Sequence, residues 1–177
     1  MTIAELIVVL DVISQSGDLS KEVVDITEDS RQVKPGALFV AVKGSQVDGH
    51  NFIDTACEQG AAGILVDSSF QRTNLTVFAE KTSAIIEVKN TRAALGKIAS
   101  RFWKEPSQSL TMIGVTGTNG KTTVTHLAKE LLEGLSRIVG LIGTTGYYVG
   151  SEHFPTSHTT PGPVAVSYTH LTLPTKA

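Results

Sequence analysis

The chain has 177 residues, a hydrophobic fraction of 41%, a charged fraction of 18% and a formal net charge of −2. That composition suits one ordinary or two small globular domains and excludes a disordered or collagen-like chain. No basic run able to neutralise a row of polynucleotide phosphates is present, so nucleic acid is not an expected partner. Cys57 is the single cysteine, which rules out an intrachain disulfide and suits a reducing, cytoplasmic setting.

Ile3, Leu6, Ile7, Leu10 and Ile13 recur at helical spacing ahead of Gly17, and this predicts an amphipathic helix at the start of the chain. The stretch lacks a basic flank and is broken by Glu5 and Asp11, so it does not read as a signal peptide. No segment reaches the about 20 apolar residues that span a bilayer, and membrane insertion is not expected. Beyond the Pro35-Gly36 turn, Leu38 to Val42 reads as a buried strand, followed by a helical segment ending at Gly60 and a second strand from Gly63 to Val66. Strand, helix, strand implies an α/β layer. A further strand is expected over Ala84 to Val88. Asn90 or Thr91 then caps a helix whose apolar positions include Ala94, Leu95, Ile98 and Phe102. Cys57, in a partly apolar helical segment, reads as a buried structural thiol. Lys97, Arg92 and Arg101 read as solvated helix faces.

Pro106 to Ser109 has the composition of a linker, so a domain boundary is placed there: residues 1–106, then 107–163. A strand over Leu110 to Val115 leads into a loop bearing Gly114, Gly117 and Gly120, and a helix follows from Lys121 to about Leu135. Ile138 to Ile142 is a further strand. A strand feeding a glycine loop that opens a helix with Lys-Thr-Thr is the arrangement of a phosphate-binding loop. The glycines let the backbone approach phosphate oxygens, and N–H groups at a helix start carry about half a positive charge. Lys121 would reach the β and γ phosphates, and the Thr122 hydroxyl would ligate their magnesium. The general pattern wants glycine where Val115 stands, and the bland alternative is an ordinary strand-to-helix turn with a surface lysine. The five histidines show no metal-ligand spacing, and His126 reads as a helix-surface residue.

Two stretches resemble a known family. Gly114 to Thr123, GVTGTNGKTT, resembles the ATP loop of the Mur ligases, which departs from the general pattern in this same way. Asp29 to Val66 is similar to the uridine-nucleotide-binding domain of the members that add the third residue or the terminal dipeptide. GLIGTTGYYVG from Gly140 and HTTPGP from His158 look like the third-residue members. The resemblance implies an α/β fold: a small N-terminal uridine-nucleotide-binding domain, then the truncated start of a P-loop-type, parallel-sheet ATPase domain. It implies an ATP- and magnesium-dependent amide ligase of peptidoglycan synthesis, serving cell shape and division. Such an enzyme joins a diamino acid to UDP-N-acetylmuramoyl-L-alanyl-D-glutamate through an acyl phosphate. ATP would lie on Gly117, Thr118, Asn119, Gly120, Lys121, Thr122 and Thr123, with magnesium on Thr122. The UDP-muramoyl dipeptide would touch Ser30, Ser45, Gln46, Val47, His158, Thr159 and Thr160. From residues alone, Ser30 equally suits a turn cap, Gln46 a solvated loop, and Thr159-Thr160 extended backbone before Pro161. The diamino-acid site and the family's carbamylated lysine lie outside this chain, so the chain alone is expected to lack ligase activity. Residues 164–177 do not continue the resemblance and read as a foreign or misread tail. A non-catalytic uridine-nucleotide module, a terminal-dipeptide ligase fragment and a generic P-loop switch are the competing readings.

Overall fold

The computed structural model describes residues 1–44, 47–70, 84–155 and 162–172. The chain divides into two compact units, Met1–Phe102 and Trp103–Ala177.

The first unit opens on a short helix, α1 (Ile3–Ile7), where a periodicity reading expects one reaching Ile13. Thr2 and Glu5 close a reciprocal capping box at its start, and Ile3, Leu6 and Ile7 are buried. The β-branched pair Val8-Val9 weakens propagation beyond that turn. The chain instead becomes strand β1 (Val12–Gly17), which pairs antiparallel with the edge of the sheet, placing Ile13 in solvent. Helical spacing at Leu10 and Ile13 was therefore coincidental, because pairing with β5 offered backbone partners from Val12 onward.

Strands β2 (Ile26–Thr27), β3 (Leu38–Val40), β4 (Gly63–Asp67) and β5 (Ala84–Val88) run parallel to one another, and the sheet order is β1-β5-β4-β3-β2. Register is set by pairs such as Phe39 with Ile64 and Leu65 with Ile86. Every residue of β3 and β5, and all of β4 except Asp67, is buried, as expected of parallel strands covered on both faces. Helix α2 (Ile53–Glu58) contributes Ile53, Ala56 and Cys57 to a cluster with Phe39, Ile64, Val66 and Ile85. The buried thiol thus has the structural role assigned from sequence. Gly60 adopts φ +87 just past α2, ending it in the left-handed conformation. Helix α3 (Thr91–Phe102) buries Ala94, Leu95, Ile98 and Ala99 and packs on α1 and β4. Asn90 Oδ1 accepts from the Ala93 N–H, 2.9 Å, which confirms the cap.

In the second unit a single-turn 3-10 helix occupies Pro106–Ser109, the expected linker. Leu110 to Val115 is not a strand. No neighbouring segment pairs with it among the described residues, and Met112 and Ile113 stand exposed. Helix α4 (Lys121–Gly134) forms as expected but buries no residue, leaving Val124, Leu127 and Leu131 in solvent. The strand expected at Ile138 to Ile142 appears as β6 (Gly140–Gly143). It belongs to an antiparallel meander with β7 (Gly146–Val149) and β8 (Glu152–Phe154), where a parallel partner had been expected. Two cross-strand stacks hold the meander: Tyr147 on Phe154 and Tyr148 on His153, with ring centroids 4.9 and 4.5 Å apart. Residues Pro163–Thr172, which from 164 onward were set apart from sequence as a tail, form helix α5, which packs against the Pro106–Ser109 turn and β6. Among the described residues, no helix is long and apolar enough to cross a membrane.

Burial thus differs sharply between the units, and substitutions should report it. Phe39→Ala, at a fully buried centre, is expected to lower the unfolding free energy of the first unit by about 3–5 kcal/mol. Leu127→Ala, at 54% exposure, should stay within about 0.5 kcal/mol. Urea titration with a probe in each unit checks both values, and equal losses would contradict the division.

Candidate functional site: a glycine loop and a strand-end face

In the second unit the stretch from Gly114 to Gly120 is a curled, solvent-facing loop that delivers the chain into α4. Gly117 at φ +146 and Gly120 at φ +77 adopt backbone conformations that other residues rarely take. An added Cβ at Gly120 would meet nothing within 4 Å, so the glycine is required there by backbone angle rather than by space. Gly120 is the N-cap of α4 and supplies no side-chain acceptor. Consequently the main-chain N–H groups of Gly117 through Thr123 donate to no partner among the described residues, while the Gly120 carbonyl accepts from Val124 at 2.9 Å. The result is a fan of unpaired donors at the positive end of a 14-residue helix.

Lys121 folds back over this loop, and its Nζ donates to the Gly117 and Thr118 carbonyls. The ammonium is thereby tied to two carbonyls of the loop that precedes α4, although the residue remains exposed. Thr122 is exposed on the first turn, and its carbonyl accepts from Thr125 Oγ1 at 2.9 Å. Its hydroxyl makes no hydrogen bond among the described residues, which fits one oxygen donor to a phosphate-held cation. His126, one turn on, is not the simple surface residue expected. Its Nε2 lies 3.3 Å from Thr145 Oγ1, and its ring meets the Tyr148 ring edge-on at 5.3 Å. Among the described residues no group of three or more His, Cys, Asp or Glu side chains is placed to hold a metal.

In the first unit, the loops following β2 and β3 leave the same end of adjacent parallel strands, the end at which open α/β sheets bind ligands. After β2, Asp29 caps the Ser30–Gln32 turn. Its Oδ1 accepts from the Arg31 N–H at 3.0 Å and Nε at 2.9 Å, and its Oδ2 accepts from Arg31 Nη2 at 2.7 Å. These charge-assisted bonds hold the Asp29 carboxyl below the ordinary aspartate range. Ser30, only 8% exposed, sits inside the turn with no hydrogen-bond partner for its hydroxyl among the described residues. After β3, Val47 is exposed and its carbonyl accepts from the Gly44 N–H at 2.9 Å. Ser45 and Gln46, and likewise His158, Thr159 and Thr160, lie outside the described residues.

Three basic side chains expected to be solvated are partly engaged in fixing neighbouring segments. Arg92 Nη2 donates to the Lys43 carbonyl at 3.2 Å, Arg101 Nε to the Glu5 carbonyl at 2.7 Å, and Lys97 lies 3.7 Å from Asp11. Sequence reasoning also passed over Asp48 and His50, whose two-residue spacing is uninformative until burial is known. The His50 side chain is 6% exposed, and its Nδ1 lies 2.6 Å from Asp48 Oδ1. Burial works to raise the Asp48 carboxyl, but hydrogen bonds from the His50 main-chain N–H and ring outweigh it and leave it lowered.

Comparison with known proteins places both stretches in one family. Residues 22–103 match the Mur ligase family, catalytic domain, and residues 115–177 match the Mur ligase middle domain. The chain is 39% identical over 166 residues to the UDP-N-acetylmuramoyl-L-alanyl-D-glutamate–2,6-diaminopimelate ligase of Parabacteroides distasonis, which covers 94% of this chain and 33% of that protein. A solved UDP-N-acetylmuramoyl-L-alanyl-D-glutamate–2,6-diaminopimelate ligase superposes with a TM-score of 0.64 at 19% identity, over 97% of this chain and 33% of the other, and supports the fold. The MurF ligase of Thermotoga maritima, solved in complex with ADP, gives a TM-score of 0.53 at 27% identity, over 83% of this chain and 29% of that one. The chain therefore spans about a third of the length of the relatives it matches.

The Asp29–Arg31 pair yields a pH prediction. A carboxyl lowered in the folded state contributes stability above its unfolded pKa and loses it as pH falls through the folded one, so this contribution should vanish only below the ordinary aspartate range. A carboxyl-detected NMR titration should show Asp29 ionising below that range and moving up toward it in Arg31→Ala; an unchanged midpoint would contradict the assigned cause.

Proposed function

Because this chain belongs to the Mur ligase family, we propose that it is the uridine-nucleotide- and ATP-binding portion of a ligase that adds a diamino acid to UDP-N-acetylmuramoyl-L-alanyl-D-glutamate. The observation that carries the reading is the run of unpaired main-chain donors from Gly117 to Thr123 among the described residues, with Lys121 folded back onto the Gly117 and Thr118 carbonyls of the same loop. An ATP triphosphate is the ligand whose charge and oxygen acceptors such a run complements. Gly117, Thr118, Asn119, Gly120 and Thr123 offer main-chain donors, and Lys121 adds a point charge for the β and γ phosphates. The Thr122 hydroxyl is the protein oxygen offered to magnesium, which neutralises phosphate charge when bound.

In the reaction proposed, the terminal carboxylate of the dipeptide attacks the γ-phosphorus, the bond to the β-phosphate oxygen breaks, and ADP leaves. The amine of the diamino acid attacks the acyl phosphate, loses a proton, and expels inorganic phosphate as the amide forms. Residues of this chain contribute positioning and charge neutralisation to the first step. Ser30 and the Ser45, Gln46 and Val47 loop are assigned to the uridine nucleotide, and His158, Thr159 and Thr160 to the muramoyl peptide. The boundary proposed between the two functions lies near residue 106, the site of action is cytoplasmic, and residues 164–177 are given no role. The chain by itself is expected to form no amide bond, since the diamino-acid site is assigned to other parts of the ligase.

Thermal shift measurements separate this reading from its rivals. A ligand at 100 times its dissociation constant stabilises a folded unit by about 2.7 kcal/mol, so UDP and ATP-Mg should each raise a melting transition. Lys121→Ala should abolish the ATP-Mg response alone, and Ser30→Ala should weaken the UDP response alone. A response to GTP-Mg without ATP-Mg would favour a nucleotide switch, and a response to UDP alone a non-catalytic module.

A further inference from the structure

Helix α4 rests on β6 by its more polar side. Its half-buried stripe is Thr125, His126, Ala128, Lys129, Leu132 and Glu133, whereas Val124, Leu127 and Leu131 face solvent. Tyr148 of β7 is the hub of the seam. The His126 ring meets the Tyr148 ring edge-on with centroids 5.3 Å apart, the His153 ring stacks on it at 4.5 Å, and Lys129 Nζ lies 5.8 Å from its centroid. The Lys129 side chain, 13% exposed, also pairs with Glu133 one turn on at 2.8 Å.

The turn that receives this side of the helix is itself fixed. His153 Nε2 donates to the Thr145 carbonyl at 3.1 Å, and at Gly146, with φ +121, an added Cβ would lie 2.6 Å from the Phe154 oxygen. On the helix side, Thr145 Oγ1 lies 3.3 Å from His126 Nε2, one turn past Thr122. The seam therefore begins beside the start of α4, where the Val124 N–H closes the first hydrogen bond of the helix onto the Gly120 carbonyl at 2.9 Å. Helices of about 12–15 residues are marginal on their own in water. Helix α4 has 14 residues, no side-chain cap and no fully buried residue, so little besides this seam offsets the cost of nucleating it.

We infer that Tyr148 is a positioning residue for the phosphate loop: by seating His126 and Lys129, it keeps the first turn of α4 formed before nucleotide arrives. The inference rests on the assignment of ATP to Gly117 to Thr123. A binding site that is formed only part of the time has its apparent affinity reduced by the fraction formed, so the seam acts on ATP through helix formation and without touching the nucleotide.

The 177-residue chain carries the test, by amide hydrogen exchange without nucleotide and by calorimetric titration with ATP-Mg, both well below melting. Tyr148→Leu keeps apolar bulk and removes the ring that His126, Lys129 and His153 share. Thr145→Val removes only the hydroxyl that faces His126. Exchange of the Val124 amide, which reports the helix start, is expected to quicken about tenfold in Tyr148→Leu and about threefold in Thr145→Val, while ATP-Mg affinity falls about fourfold and about twofold. Gly134→Ala, at the far end of α4 and with nothing within 4 Å of an added Cβ, favours the helix without approaching the loop. Added to Tyr148→Leu, it should recover about half of both losses. A merely structural role would lower the melting temperature and leave affinity and Val124 exchange as they were. Unchanged Val124 exchange in both folded variants, quickened exchange with wild-type affinity, or losses that Gly134→Ala does not recover would each overturn the inference. Should Tyr148→Leu fail to fold, Thr145→Val, at an exposed turn position, decides with and without Gly134→Ala. Failure of the wild-type chain to bind ATP-Mg would instead remove the ATP assignment, and Val124 exchange would still judge the seam.

Discussion

The structure depends most on a set of main-chain N–H groups that find no acceptor among the described residues. A helix must begin somewhere, and its first donors are ordinarily capped by a Ser, Thr, Asp or Asn side chain. Helix α4 begins with Gly120 in a left-handed conformation and no such cap, preceded by Gly117 at another positive φ. Its first donors are therefore left to solvent. Exposed donors of this kind are tolerated by water and completed by an anion, and Lys121 is tied to two carbonyls of the same loop. Sequence, backbone angle, unpaired donors and cation placement all point to one ligand chemistry.

The first unit works by the opposite economy. Its parallel strands are closed on both faces, its one buried imidazole has both nitrogens satisfied, and its loops are tied by short side-chain bonds at Asp29 and Asp48. In the second unit α4 buries nothing along its length and Leu110 to Val115 lacks a pairing partner among the described residues. Most helical stability comes from packing an apolar face, and Val124, Leu127 and Leu131 form a face that is not packed.

Much of this was legible in the residues. The buried runs at Leu38, Gly63 and Ala84 became β3, β4 and β5 because a strand covered on both faces needs apolar residues throughout, a signal that survives without context. The glycine loop and its helix were legible because positive φ and a helix start have strong local requirements. Errors arose where tertiary pairing decides. Leu10 and Ile13 continued a helical period by chance, and β1 formed because the edge of β5 was open to it. Leu110 to Val115 has strand composition without a strand's partners. Asp48 and His50 were invisible for a related reason: their role comes from a hydrogen bond to Asp67, 17 residues away from His50, which spacing alone does not encode.

The central claim is that main-chain donors from Gly117 to Thr123 bind the phosphates of ATP. Its most direct test is an amide-resolved NMR titration of the chain with ATP-Mg. Large downfield shifts concentrated on the amides of Gly117 to Thr123, saturating together with a shift of the Lys121 side chain, are the predicted result. Shifts spread elsewhere while those seven amides stay unmoved at saturating nucleotide would contradict the account.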